Sequence, residues 1–352
     1  MTNLEYLATI VIIVQVCIVS SAVLNEDAIQ REKYTQQKYE RYLNYIQYPS
    51  LGGLNFTNLP GFDCFSSPEW PGLRRFEFKC NALTPSDVVP ENVHLLRPAD
   101  IKVIGAMGDS LTAANGAGAC FLPQLALEYR GKSFSHGGDK TFARVPSLAN
   151  ILKQFNPDLK GYGVETGRWN SSNAGMNVGF PGDVSSDMPT QAERLVAKMK
   201  RDPDIDFYND WKLVTLFIGA NDICDWCKDT ALYHPQVYVD NIMQSLRILQ
   251  KKLPRTLVNV VGVLNVPEVE ALRGPICDVF HLLWCDCAMF LDEKELTKLT
   301  QVTREYQRLL QETIGSGVLD GKPDFTAVHQ PFLHNTGVPL TEVMQYNVVT
   351  FS

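Results

Sequence analysis

The chain has 352 residues, 45% of them apolar and 20% charged, and a formal net charge of −7. Such a length suits one large globular domain or two small ones, and the composition excludes a low-complexity or disordered chain. The acidic balance gives nucleic-acid binding no electrostatic support.

Residues 7–22, LATIVIIVQVCIVSSA, form an apolar run ending in small residues. The run lies at the upper length for a signal-peptide core and is short for a membrane span. Residues 1–22 are read as a signal peptide cleaved near Ala22, and the chain as secreted. An uncleaved N-terminal anchor is the alternative. The glycosylation acceptors Asn55-Phe56-Thr57 and Asn170-Ser171-Ser172 agree with secretion. Of nine cysteines, removal of Cys17 leaves eight: Cys64, Cys80, Cys120, Cys224, Cys227, Cys277, Cys285 and Cys287. An even count in a secreted chain predicts disulfides, with connectivity left open. Cys224-Asp225-Trp226-Cys227 also has zinc or redox spacing, but Cys285-Asp286-Cys287 has one intervening residue where a zinc partner has two, so disulfides are preferred.

Residues 26–50 are polar and helix-prone, with tyrosines at 34, 39, 42 and 45, and predict a peripheral amphipathic helix. Residues 51–98 are rich in Gly, Pro and Cys and read as a lead-in, which makes 23–98 an N-terminal extension to a domain at 99–352. From residue 100 the pattern changes. Continuous apolar runs at 101–107, 213–219, 257–263 and 326–332 suit buried parallel strands. Helical stretches at 190–202, 237–253 and 293–314 lie between them or lead to the last. This alternation predicts a parallel sheet covered on both faces, with ligands beyond the carboxyl ends of the strands.

Ser110 follows the first of these strands, in Gly108-Asp109-Ser110-Leu111. A strand-to-helix turn there would expose its hydroxyl at the sheet edge and aim backbone N–H groups at a bound carbonyl. A plain helix cap is the competing reading. Asn221, in Gly219-Ala220-Asn221-Asp222, ends the second strand and offers a neutral amide donor at the same edge. Gly182, in NVGFPGDVSSDMP (177–189), can bring a further backbone N–H there.

These three motifs, in this order, resemble the GDSL or SGNH hydrolase family. The segments 129–157 and 274–287 are similar to its phospholipase B-like branch. The resemblance implies a three-layer α/β/α sandwich around a parallel sheet. It implies Ser110 as the nucleophile, with the Ser110 and Gly182 N–H groups and the Asn221 side chain as oxyanion hole. It also implies cleavage of fatty acyl esters of phospholipids, lysophospholipids or acylglycerols, contact with a lipid surface, and no metal or organic cofactor.

The resemblance also implies a closing Asp-x-x-His block that supplies the base and its acid. None of the six histidines fits it well. Asp278-Val279-Phe280-His281 has the spacing but precedes the 293–314 helix. His329 lies within the last strand, five residues after Asp324. His334 follows that strand, so it reaches the right edge, but no acid stands three residues before it. His94, His136 and His234 occur too early. The expectation is therefore a chain truncated before this block. Loss of the histidine of a serine triad costs on the order of a million-fold in turnover. A catalytically impaired lipid-binding protein on the same fold is the second reading.

Overall fold

The computed structural model describes residues 84–119, 122–271, 284–289 and 291–336. The expected signal peptide, the 26–50 helix, and Cys64, Cys80, Cys120, Cys277, Asp278 and His281 lie outside these residues.

Four strands form one parallel sheet: β1 (Ile101–Gly108), β2 (Trp211–Phe217), β3 (Thr256–Val261) and β4 (Phe325–Gln330), in the spatial order β1-β2-β3-β4. The helices, in chain order, are α1 (Ser110–Ala113), α2 (Leu148–Leu152), α3 (Met188–Arg201), α4 (Ala220–Asp225), α5 (Pro235–Lys252) and α6 (Glu293–Gly315). Each strand end registers with the next: Gly108 lies beside Phe217, Phe217 beside Val261, and Val261 beside Gln330. Residues just past these positions therefore share one edge of the sheet.

Period-two alternation divides the strand side chains between two cores. Val103, Met107, Val214, Leu216, Val258 and Val260 join the larger one, with α3, α5 and α6. Ile104, Leu213 and Leu257 face a smaller cluster with Ala149 and Leu152 of α2. The result is the expected three-layer α/β/α sandwich. Helix α3 packs closely on β1 because Gly105 has no side chain: a Cβ there would stand 2.8 Å from the Met199 methyl.

The long helices have local causes. Asp292 caps α6 reciprocally with Glu295, each accepting the other's backbone N–H at 2.8 and 3.0 Å. His234 caps α5, whose first residue is Pro235, a position that needs no N–H donor. Continuous burial breaks down in β4: Phe325, Thr326 and Ala327 are buried, but Val328 is 43% exposed.

Beyond β1 the sheet is completed by two short segments. Lys160 bridges Val103, and Asn177 bridges Ala106, both parallel. The second segment carries Gly182 past the end of β1.

Candidate active site

The turn after β1 requires Gly108. Its φ is +150°, and a Cβ would stand 2.2 Å from the Phe217 carbonyl and 2.3 Å from Thr112 Oγ1. Asp109 then caps α1, with Oδ1 accepting the Leu111 N–H at 2.9 Å. The capping role thus falls to Asp109, and Ser110, the first helical residue, keeps its hydroxyl free of it. Ser110 Oγ makes no hydrogen bond, and its residue is 1% exposed. The expectation of an exposed hydroxyl is corrected. All four residues of α1 are buried, because the 176–183 segment is bound to the turn: Asn177 Nδ2 donates to Thr112 O at 2.8 Å, and Phe180 N–H to Gly108 O at 2.9 Å.

The three expected site residues lie on neighbouring elements past the ends of β1 and β2. Gly182, with φ +89°, lies two residues beyond Phe180, and its N–H has no partner among the described residues. Asn221 sits in the first turn of α4, past the end of β2. The preceding Gly219, φ +123°, lets this turn approach α5, since a Cβ there would meet the Tyr238 ring at 2.8 Å. Asn221 Nδ2 donates to the Asp183 carbonyl at 2.7 Å, which ties the Asn221 turn to the residue after Gly182.

Sequence reasoning missed the carboxyl groups surrounding this cluster. Burial pushes Asp109 up to about 7, with Asp222 adding to the shift, and its Oδ2 has no partner. Burial likewise raises Asp222 to about 7, against the lowering effect of the Ser185 hydroxyl and N–H that bond it at 2.5 and 2.9 Å. Asp183 is raised well above the usual range, by burial first and then by Asp187. Carboxyls shifted toward the neutral form oppose a developing oxyanion less than fully ionised ones would. The adjacency of Asp109 to Ser110 and Asp222 to Asn221 was the available signal. Their burial was not.

No described histidine bonds Ser110 Oγ. The His329 and His334 rings meet at a tilt of 49° with centroids 5.0 Å apart, and both Nε2 atoms are buried without a partner among the described residues. Gly262, just past β3, makes room for them: a Cβ would stand 2.0 Å from His334 Nε2 and 2.9 Å from His329 Nε2. Burial, then His334, pushes His329 down to about 4; burial and Arg304 lower His334. Asp324 lies at the opposite end of β4, where it accepts the Arg255 N–H at 3.2 Å. His136 is a buried structural residue pushed down to about 3 by burial. Its Nδ1 accepts the Gly163 N–H at 3.1 Å, which leaves Nε2–H for the Ile104 carbonyl at 3.3 Å. His234 caps α5, and His94 is exposed.

Helix α4 is fastened by two disulfides, Cys224–Cys285 and Cys227–Cys287. Each half of the Cys-x-x-Cys pair goes to a different half of the Cys-x-Cys pair, so these four sulfurs are not thiolates available to zinc.

Comparison with known proteins agrees with this geometry. The family model for GDSL-like lipase/acylhydrolase matches residues 104–347. Phospholipase B1, membrane-associated, of Homo sapiens is 45% identical over 273 residues, which cover 75% of this chain and 19% of that protein. The proteins of the same name from Rattus norvegicus and Mus musculus are 44% and 43% identical, covering 19% and 18% of their lengths. The chain thus spans about one fifth of the length of the curated relatives it matches. It belongs to the GDSL-like lipase/acylhydrolase family, within which it is similar to the phospholipase B branch.

Proposed function

We propose that this chain is a secreted serine hydrolase acting on fatty acyl esters of phospholipids, lysophospholipids or acylglycerols, reached by peripheral contact with a lipid surface. Ser110 Oγ attacks the ester carbonyl and forms a C–O bond while its proton passes to a base. The Ser110 N–H, the Gly182 N–H and the second N–H of Asn221 Nδ2 hold the oxyanion. The alcohol leaves with a proton, and water hydrolyses the acyl-enzyme.

The observation that carries this reading is the placement of three polar groups past neighbouring strand ends at one sheet edge. They are a buried serine hydroxyl and a glycine N–H, both without a partner among the described residues, and an amide with one hydrogen on the Asp183 carbonyl and the other free to donate. Secretion rests on the 7–22 apolar run. Among the described residues no helix is long and apolar enough to cross a membrane.

A second reading, a catalytically impaired lipid-binding protein, is favoured by the isolation of Ser110 Oγ from every described histidine. Fluorophosphonate labelling of the secreted chain separates the two. Labelling abolished by Ser110→Ala supports the hydrolase. A folded chain that does not label supports the impaired form. Should labelling depend on His334 as well, that histidine is the base.

A further inference from the structure

The outer edge of β1 is paired by the 176–180 segment. Ala106 N–H donates to the Met176 carbonyl at 3.1 Å, Val178 N–H to the Ala106 carbonyl at 2.9 Å, and Phe180 N–H to the Gly108 carbonyl at 2.9 Å. In an evenly spaced parallel ladder, one more rung belongs in this series, from Gly108 N–H to the Val178 carbonyl. A side chain occupies it instead. Gln191 Oε1 accepts the Gly108 N–H at 2.8 Å, and Gln191 Nε2 donates to the Gly108 carbonyl at 2.8 Å. The same Nε2 donates to Asp183 Oδ2 at 2.7 Å.

We propose that Gln191 is a positioning residue that sets the spacing between the nucleophile and the oxyanion donors. This rests on the reading of Ser110 as nucleophile. One carboxamide grips both backbone groups of Gly108, two residues before Ser110, and the side chain immediately after Gly182. The Asp183 carbonyl in turn holds Asn221 at 2.7 Å. By replacing the rung, Gln191 lets the 176–180 segment leave β1 while staying bound to it. The segment then turns at Gly182 over the end of the strand. Gln191 is fully buried and anchored on α3, so its carboxamide has little freedom to drift.

A residue that only satisfied buried polar groups would affect stability and leave the folded enzyme's chemistry alone. The test therefore measures both in the full secreted chain, using Gln191→Met, which keeps the shape and removes the hydrogen bonds. Thermal unfolding selects folded protein, amide hydrogen exchange reads the Gly108 N–H, and the fluorophosphonate rate reads Ser110. The expected result is loss of Gly108 protection with labelling at least about tenfold slower. On a soluble ester, kcat falls while KM is unchanged. Gln191→Leu, which also lacks hydrogen-bonding groups, carries the same readouts if the Met variant does not fold. Wild-type protection at Gly108 in Gln191→Met overturns the clamp. A wild-type labelling rate despite lost protection overturns the positioning role. If the wild-type chain itself does not label, the hydrolase reading fails, and the Gly108 exchange still decides whether Gln191 holds the turn.

Discussion

Asn221, in the first turn of α4, and Asp183, in the loop after Gly182, are joined by one hydrogen bond, from the amide Nδ2 to the backbone carbonyl at 2.7 Å. The bond uses one of the two Nδ2 hydrogens and fixes the direction of the other. A donor held in this way needs no reorganisation when charge develops on a substrate oxygen. Asn221→Ala is therefore expected to lower kcat by about 100- to 1,000-fold with KM little changed, the pattern of an interaction made only in the transition state. Steady-state kinetics on a soluble ester would measure it. An unchanged kcat, or a change confined to KM, would remove Asn221 from the proposed oxyanion hole.

Asp109 gives a pH dependence with a definite sign. Its folded-state pKa, about 7, lies above the ordinary 3.8. Between those values the folded chain binds more protons than the unfolded chain, so stability is greatest at low pH and falls as pH rises toward 7. His136 acts in the other direction: its pKa is depressed to about 3, and its contribution is lost as pH falls below about 6.5. Comparison with Asp109→Asn cancels the histidine. Asparagine keeps the cap on Leu111 and abolishes the titration. The variant should be more stable than wild type at pH 8, by on the order of a few kcal/mol, and nearly equal at pH 4. Urea unfolding at the two pH values would detect this, and parallel curves would refute it.

The strands and the three long helices were legible because their signals are local. Continuous apolar runs mark β1 and β2, buried on both faces, and a 3.6-residue period marks α3, α5 and α6. The positions of Ser110, Gly182 and Asn221, each at a strand end or a turn, were legible from their motifs. The Gln191 clamp was not. It joins residues 83 positions apart, and a glutamine inside an amphipathic helix carries no mark of facing inward. The burial of Ser110 also escaped notice, because it depends on the 176–183 segment, whose glycines and polar residues read as an ordinary turn. Disulfide pairing was open for a similar reason: Cys224 and Cys227 could each reach either of Cys285 and Cys287 until the fold set which lay opposite.

Those disulfides yield the last prediction. Cys224 and Cys285 are separated by 61 residues, and Cys227 and Cys287 by 60. Closing a loop of that size stabilises a chain by about 4 kcal/mol in the loop-entropy account. The two bridges close nearly the same loop, so the second removes little further entropy from the unfolded chain. Their contributions should therefore be strongly non-additive. Replacing one pair by alanine should cost far less than about 4 kcal/mol from loop closure, whereas replacing both pairs should cost at least that amount. The double removal also frees α4, the short helix that carries Asn221, from its attachment at 285–287, so fluorophosphonate labelling should fall in the folded fraction of that variant. Urea unfolding of the two single-pair variants and the four-cysteine variant measures the coupling. Additive losses would mean that each bridge stabilises through its own local packing and not through a shared loop closure.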